Sequence, residues 1–333
     1  MKRSITSITS VLTALIMAAT LLTGCRHKGL LFDEDPEAAR VRVVFDWSKA
    51  PDANPASMAL YLYSRDGGAP LRYIFDNRDG GYIYVPYGYY DAIALNADNS
   101  DWAYLNNTSA RETFEIQTSI HHELDELAPT EPETGQREHI VSTPGMLWTA
   151  ADSLFNIIPK AGEQVITLHP DEAVCHYTID ILDVDNIEAL SQYTMIATIS
   201  GLAESHIPLP HSGADTQAAH PISFTPDIDN HSLHSEFLTF GESPNVYKSN
   251  LLHIHTFRDT PSRAAVSRAQ EEEADSTHRV YEFDVSDQAH NAPDPRHVHI
   301  VIHGLSVPRN VGSSAGLRPV VEDWIEEHIN LDM

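Results

Sequence analysis

The stretch Arg40-Val41-Arg42-Val43-Val44-Phe45-Asp46-Trp47 decides the fold class of this chain. Its apolar residues Val41, Val43, Phe45 and Trp47 stand at every second position, and most residues between them are polar. A period of two is that of a half-buried β-strand, because successive side chains of a strand point to opposite faces of the sheet. Such a strand needs a second layer to cover its apolar face.

Runs with the same period recur along the rest of the chain. They cover residues 58–62, 71–75, 82–85 and 90–95 in the first half and residues 165–168, 175–181, 195–199, 237–240, 250–257, 281–285 and 296–303 in the second. Short strands divided by Gly-, Pro- and Asp-containing turns are typical of β-sandwiches. The sequence therefore predicts an all-β protein.

Residues 159–164 are the predicted boundary between two sandwiches, one over residues 40–162 and one over residues 163–333. Residues 123–137 are acidic and show no period, which predicts a long loop. Residues 320–331 fit one face of a helix slightly better than one face of a strand, so both interpretations stay open at the C-terminus.

The N-terminus carries the pattern of an export signal. Lys2 and Arg3 precede a short apolar run, and Leu22-Thr23-Gly24-Cys25 resembles the bacterial lipobox, in which the cysteine is alkylated by a diacylglycerol. The prediction is a signal peptide over residues 1–24, lipidation of Cys25 and a tether over residues 25–39. The alternative is an ordinary signal peptide with a chance cysteine.

Composition limits the partners. The 333 residues carry a formal charge of −27, which becomes −29 without residues 1–24, because these contain two basic residues and no acidic one. A surface this acidic repels nucleic acid and anionic phospholipid headgroups. Of the two cysteines, Cys25 is predicted to be lipidated, so Cys175 has no disulfide partner within the mature chain and is predicted to be a small core residue.

The chain has 19 histidines, and some of them alternate on predicted strands. The candidate metal ligands on shared strand faces are His253, His255, His297, His299 and His303. Histidines two apart on a strand can bind a transition metal, but no further ligand is marked at a fixed place. The prediction is therefore no metal site and no cofactor, with these histidines on the solvent-facing side of their strands.

No catalytic signature is found. Gly312-Ser313-Ser314-Ala315-Gly316 matches Gly-x-Ser-x-Gly, yet too little chain follows it to supply the acid and the histidine on separate loops. A Gly/Ser loop is the favoured interpretation, and no pair of carboxylates is marked for glycosidase chemistry either. We expect a protein that is not an enzyme.

Tyrosines of the first half form a second kind of signal. Tyr82, Tyr84 and Tyr87 are candidates for stacking on sugar rings or for a protein interface, if they lie on the outer face of a sheet. The competing interpretation is cross-strand packing.

Several short motifs, in this order, resemble the fimbrillin-like lipoproteins of Bacteroidetes. They are Arg42-Val43-Val44-Phe45-Asp46-Trp47, Tyr63-Ser64-Arg65-Asp66-Gly67-Gly68, Val85-Pro86-Tyr87-Gly88-Tyr89-Tyr90-Asp91, Thr143-Pro144-Gly145-Met146-Leu147-Trp148, Ser200-Gly201-Leu202-Ala203 and Phe283-Asp284-Val285-Ser286-Asp287. The resemblance is to a domain-of-unknown-function branch of that group, related to anchor and accessory subunits of type V fimbriae.

The resemblance implies two tandem transthyretin-like, Greek-key β-sandwiches on a lipid-anchored protein of the outer membrane. The sequence shows no arginine-cleavage site that would release a donor strand, so an anchor or accessory subunit fits better than a stalk subunit. It implies a non-enzymatic, surface-exposed anchor, accessory or adhesion component. Its partners would be the membrane lipid through Cys25 and other fimbrial or surface proteins, through strand addition to a sheet edge. The alternative is a surface glycan-binding lipoprotein that uses the tyrosines.

Overall fold

The computed structural model describes residues 37–99, 103–128, 137–209, 220–229, 231–243, 249–257 and 278–307. The predictions for Cys25, for the loop at 312–316 and for residues 320–331 lie outside the described residues. Within these ranges, no helix is long and apolar enough to cross a membrane.

Strands dominate the described chain. They are β1 (Ala38–Phe45), β2 (Met58–Ser64), β3 (Leu71–Phe75), β4 (Gly80–Pro86), β5 (Gly88–Asn96), β6 (Ala103–Asn106), β7 (Glu115–Thr118), β8 (Val141–Ser142), β9 (Trp148–Ile157), β10 (Gln164–Leu168), β11 (Asp171–Glu172), β12 (Cys175–Leu182), β13 (Thr194–Ile199), β14 (Ser205–His206), β15 (Ile222–Phe224), β16 (Asp227–Ile228), β17 (Leu233–Thr239), β18 (Leu251–Phe257), β19 (His278–Asp284) and β20 (His297–His303). The helical segments are the 3₁₀ turns Trp47–Lys49, Arg111–Thr113, His122–Leu127 and Ile187–Gln192 and the short α-helix α1 (Ser286–His290).

The first sandwich packs a three-stranded sheet, in the order β10-β1-β4, against a five-stranded sheet, in the order β11-β9-β5-β2-β3. The stretch that opened the sequence analysis forms β1, the central strand of the smaller sheet, where it is antiparallel to β4 and parallel to β10. Its buried residues Val41, Val43 and Phe45 meet Leu60 and Leu62 of β2 in one apolar core. The period of two therefore has the predicted cause.

The second sandwich packs the sheet β16-β17-β12-β20 against the sheet β19-β18-β13-β15-β8. Its core joins Ile179 and Ile181 of β12 and Ile300 of β20 to Ile199 of β13 and Ile254 of β18. All five side chains are at most 2% exposed. The prediction of an all-β protein with two sandwiches is confirmed.

A third, small sheet in the order β14-β7-β6 lies over the outer face of the five-stranded sheet of the first sandwich. Phe114 and Ile116 pack there against Tyr61 and Tyr63 of β2, and all four side chains are buried. The five-stranded sheet of the first sandwich thus buries apolar residues on both of its faces. These two tyrosines therefore pack between the two sheets.

Strands β10 and β8 each pair with the sandwich other than the one that their position in the sequence predicts. Strand β10, placed by the sequence at the start of the second sandwich, pairs with β1 of the first, from Val41 with Gln164 to Phe45 with Leu168. Strand β8, which precedes it in the chain, pairs with β15 of the second sandwich. The chain therefore passes between the two sandwiches more than once. The last strand of the three-stranded sheet β10-β1-β4 ends at Leu168.

Candidate functional site

The exposed face of the sheet β10-β1-β4 carries two of the predicted stacking tyrosines. Tyr82 and Tyr84 lie two apart on β4, and about half of each side chain is exposed. The guanidinium carbon of Arg40 lies 3.8 Å from the ring centroid of Tyr82. The Tyr82 hydroxyl donates to Glu163 Oε1 at 2.7 Å. One face of this ring and its hydroxyl are thus already engaged.

Tyr87 has a different environment. It is half-buried and packs at the margin of the first sandwich's core. Its main-chain N–H donates to the carbonyl of Glu37 at 2.9 Å. The structure therefore brings Tyr82 and Tyr84 together on one exposed surface and leaves Tyr87 out of it.

The histidines of β20 do not converge on a common point. His297, His299 and His303 point outward, and each has its own carboxylate: Asp294 at 2.9 Å, Asp180 at 2.6 Å and Asp183 at 2.9 Å. Asp180 also lies 2.7 Å from His234 Nδ1, and this hydrogen bond raises the pKa of His234. These exposed histidine–carboxylate pairs form a polar outer face on the second sandwich.

The two histidines of β18 are also separated in role. His253 Nε2 lies 2.8 Å from Glu282 Oε2. His255 is buried, and its Nδ1 lies 3.2 Å from His278 Nε2. Burial, with a smaller effect from the neighbouring histidines, lowers the pKa of His255 to about 3. This imidazole is neutral at physiological pH and belongs to the protein interior.

Cys175 packs at the edge of the second core. Burial raises the pKa of its thiol, and the charge of Arg296 opposes that effect only in part. A thiol with a raised pKa is a poor nucleophile at neutral pH, because the thiolate is the reactive form. The environment of Cys175 is that of a core residue.

One cluster was missed by the sequence analysis. His122, Asp125 and His139 place one ligand-type atom each within 4.8 Å of the others. Asp125 lies in the segment 123–137, which the sequence predicted to be a loop, and His122 lies just before that segment. The spacing His-x-x-Asp was visible there, but nothing in the sequence indicated that His139 returns beside it.

Strand β19 is an end strand of its sheet in the described structure. Val285 N–H donates to the carbonyl of Asn250 at 2.9 Å, and Ser200 N–H donates to the carbonyl of Leu251 at 3.0 Å. Bonded and non-bonded residues alternate in antiparallel pairs, so the main-chain groups of Val280 and Glu282 point away from β18. About half of the Val280 side chain is exposed.

Strand β20 is the other long end strand of the second sandwich, and it is partly covered. The Gln288 side chain of α1 donates to the carbonyl of Val301 at 3.0 Å and accepts its N–H at 2.8 Å. A side-chain amide thus occupies the outer edge at the position that a neighbouring strand would take. In the described ranges, no such plug lies on the outer edge of β19.

Comparison with solved structures shows the fold again. A candidate adhesin from Bacteroides ovatus ATCC 8483 is similar over 86% of this chain and 99% of its own, with a TM-score of 0.57 and 17% identity. The fimbrial anchor protein Mfa2 from Porphyromonas gingivalis is more distant, with a TM-score of 0.45 and 13% identity over 79% of this chain and 90% of its own. No curated protein matches the sequence.

The family is shown by the sequence itself. A family model described as a domain of unknown function, DUF5119, matches residues 24–222, which is more than half of the chain. The match begins next to Cys25 and runs through the first sandwich into the second. The predicted resemblance to a domain-of-unknown-function branch of the fimbrillin-like proteins is confirmed, and this chain belongs to the DUF5119 family.

Proposed function

We propose that this protein is a lipid-anchored, non-enzymatic component of the cell surface, an anchor or accessory subunit of an adhesive fibre. In this proposal Cys25 holds the protein to the outer membrane, and the second sandwich binds another surface protein. The fold shared with a candidate adhesin supports an adhesive role. The three histidines of β20 lie beside three different carboxylates, and the thiol of Cys175 is partly buried with a raised pKa; both observations favour binding over catalysis.

The observation that carries the proposal is the outer edge of β19, which pairs with no other strand among the described residues. Seven residues of extended chain end the sheet there, with the N–H and C=O groups of Val280 and Glu282 directed outward. An edge of this kind pairs readily with an extended segment of another chain, since main-chain hydrogen bonds are formed without any change in the acceptor. We infer that a strand of a second surface protein adds to β19.

Val280→Pro tests this edge. Proline removes the outward N–H but leaves the hydrogen bonds of the neighbouring residues to β18, and edge strands tolerate it at such positions. We expect the variant to fold and to lose the partner that co-purifies with the tagged wild-type protein from its producing cells. The measurement is the amount of that partner after cross-linking on intact cells.

Val280→Ala is the matched control, because it removes the same side chain and keeps the N–H. We expect it to retain the partner. Equal recovery with the proline and alanine variants would contradict strand addition at β19. If both variants retained the partner protein and Tyr82→Ala lost glycan binding, the glycan-binding alternative would be favoured instead. That alternative rests on the exposed Tyr82 and Tyr84.

Cys25→Ala tests the anchor. The thiol is the only group in the predicted lipobox that can accept the diacylglycerol, so we expect the variant to incorporate no labelled fatty acid and to leave the membrane fraction. Any fibre that it carries would then appear in the culture medium. Cys175→Ala is the control and should stay lipidated at the membrane. Unchanged labelling of the Cys25 variant would refute the anchor.

A further inference from the structure

The cluster of His122, Asp125 and His139 is built by two segments with different backbone forms. His122 and Asp125 lie three apart on the 3₁₀ turn His122–Leu127. Side chains at positions i and i+3 of a 3₁₀ turn lie on the same side, so the imidazole and the carboxylate meet. His139 comes from the returning segment, which the hydrogen bond from His121 N–H to the Ile140 carbonyl, 2.7 Å, holds beside the turn.

The distances around Asp125 fit a common bound ion. Its Oδ2 lies 3.2 Å from His122 Nδ1 and 3.0 Å from His139 Nδ1. Bonds of about 2.0–2.1 Å to a tetrahedral zinc ion place ligand atoms roughly 3.3 Å apart. The two measured separations therefore come close to two edges of such a tetrahedron. The His122 and His139 rings stand nearly perpendicular, at 89°, so they do not stack on each other.

The carboxylate is also held from behind. Asp125 Oδ1 accepts the N–H of Ile140 at 3.3 Å, and the Ile140 side chain is fully buried. A supporting hydrogen bond to a ligating carboxylate is a regular feature of metal sites.

His220 adds an independent observation. Its ring lies 6.1 Å from that of His139, and its Nε2 lies 3.0 Å from Glu204 Oε2. Its Nδ1 is buried without a hydrogen-bond partner among the described residues. A histidine that gives one N–H to a carboxylate presents its other nitrogen as a lone pair, which is the arrangement of metal-binding histidines. An unpaired buried acceptor beside the cluster is otherwise costly.

We propose that His122, Asp125 and His139 bind a divalent transition-metal ion of the zinc class, with His220 or water as the fourth ligand. Two imidazoles and one carboxylate suit zinc in ligand type and number. The ion would tie the 3₁₀ turn to the segment that enters β8 of the second sandwich. Its role would be structural, and it does not depend on the proposed adhesive function.

The test is zinc titration of the full-length chain in detergent by calorimetry, with cobalt(II) as a spectroscopic probe of the coordination geometry. We expect one tight site per chain and a tetrahedral cobalt spectrum. Asp125→Asn and His122→Gln should each weaken zinc binding by more than about tenfold. His303→Gln is the matched control, because it breaks another exposed histidine–carboxylate pair, with Asp183, and should leave the tight site unchanged.

Folding is checked separately, by circular dichroism of each variant without metal. His122 is mostly exposed, with 71% of its side chain accessible, so His122→Gln should fold like the wild type. Zinc affinity that is equal in the wild type, in His122→Gln and in Asp125→Asn would overturn the proposal. So would an equal loss in His303→Gln, since that result would indicate general binding by surface histidines.

Discussion

Gly80→Ala is expected to lower the free energy of unfolding by about 3–4 kcal/mol, one of the two largest effects we expect from a single substitution in the first sandwich. Gly80 has a φ of +98°, and a Cβ atom there would lie 2.3 Å from the carbonyl oxygen of Val43 and 2.9 Å from its carbonyl carbon. Val43 belongs to β1, which is paired on both sides, so its backbone cannot move aside without breaking a ladder. Urea unfolding of the full chain measures the loss.

Gly68→Ala separates the clash from the backbone strain. Gly68 has nearly the same φ, +99°, but no atom lies within 4 Å of the Cβ position. Only the cost of a left-handed conformation applies, so we expect a loss of about 1–2 kcal/mol. If the two variants unfolded at the same urea concentration, the close approach between β4 and β1 would contribute nothing. The difference between them isolates that contact.

Local pattern was sufficient where one face of a strand is buried and the other is not. The run 71–75 became β3 with the same limits, and the alternation of β1, β12 and β20 gave their buried residues in advance. A period of two identifies such strands because their two faces differ. The prediction of the fold class therefore rested on strands that bury one face in a core and expose the other face to solvent.

Strand β9 shows where that reasoning fails. It is ten residues long, yet Trp148–Ile157 has no alternation, and only Ala150 and Ile157 in it are buried. Its partner β5 lies more than fifty residues earlier, and the register between them shifts at Tyr90 and Ala92. The strand exists because of this pairing, which depends on distant residues. The parallel pairing of β10 with β1 is non-local for the same reason.

The candidate metal site failed to appear in the sequence for a related reason. Its two ligands on the 3₁₀ turn are local, but His139 reaches them through the hydrogen bond between His121 and Ile140 and the bridge between Ile120 and Val141. The histidines that stood out in the sequence lie two apart on strands, where each found a separate carboxylate or a buried neighbour. Spacing along one strand is a weaker guide to a metal site than the contacts between segments.

Asp91 is the residue whose charge should matter most to the stability of the first sandwich. Only 6% of its side chain is exposed, and it lies at the register shift between β5 and β9. Arg65 and Arg111 approach its two oxygens at 2.9 Å and 2.8 Å, and Leu154 N–H donates to it at 3.1 Å. One carboxylate thus connects β2, the 3₁₀ turn before β7, and β9.

Asp91→Asn should therefore cost about 2–3 kcal/mol at pH 7, less than a fully buried pair because Arg65 is partly exposed. Burial would raise the pKa of Asp91, but the hydrogen bonds from Arg65 and Leu154 and the charge of Arg111 lower it overall. A lowered pKa in the folded state contributes stability above the unfolded value of 3.8 and loses it as the pH falls through the folded value. The difference from the wild type should thus be full at pH 7 and shrink below pH 3.8.

The exposed neighbour Asp66 provides the control, since Asp66→Asn removes the same charge nearby and should change stability by less than about 0.5 kcal/mol. Urea unfolding of both variants and the wild type at neutral and acid pH gives the comparison. A loss in Asp91→Asn that stayed constant down to acid pH would mean that shape, and not charge, makes Asp91 important. The expected pH dependence would show that one ionised carboxylate stabilises the packing of the sheet β14-β7-β6 on the first sandwich. Nothing in the sequence distinguishes Asp91 from the other acidic residues of the chain, which has 48 in all.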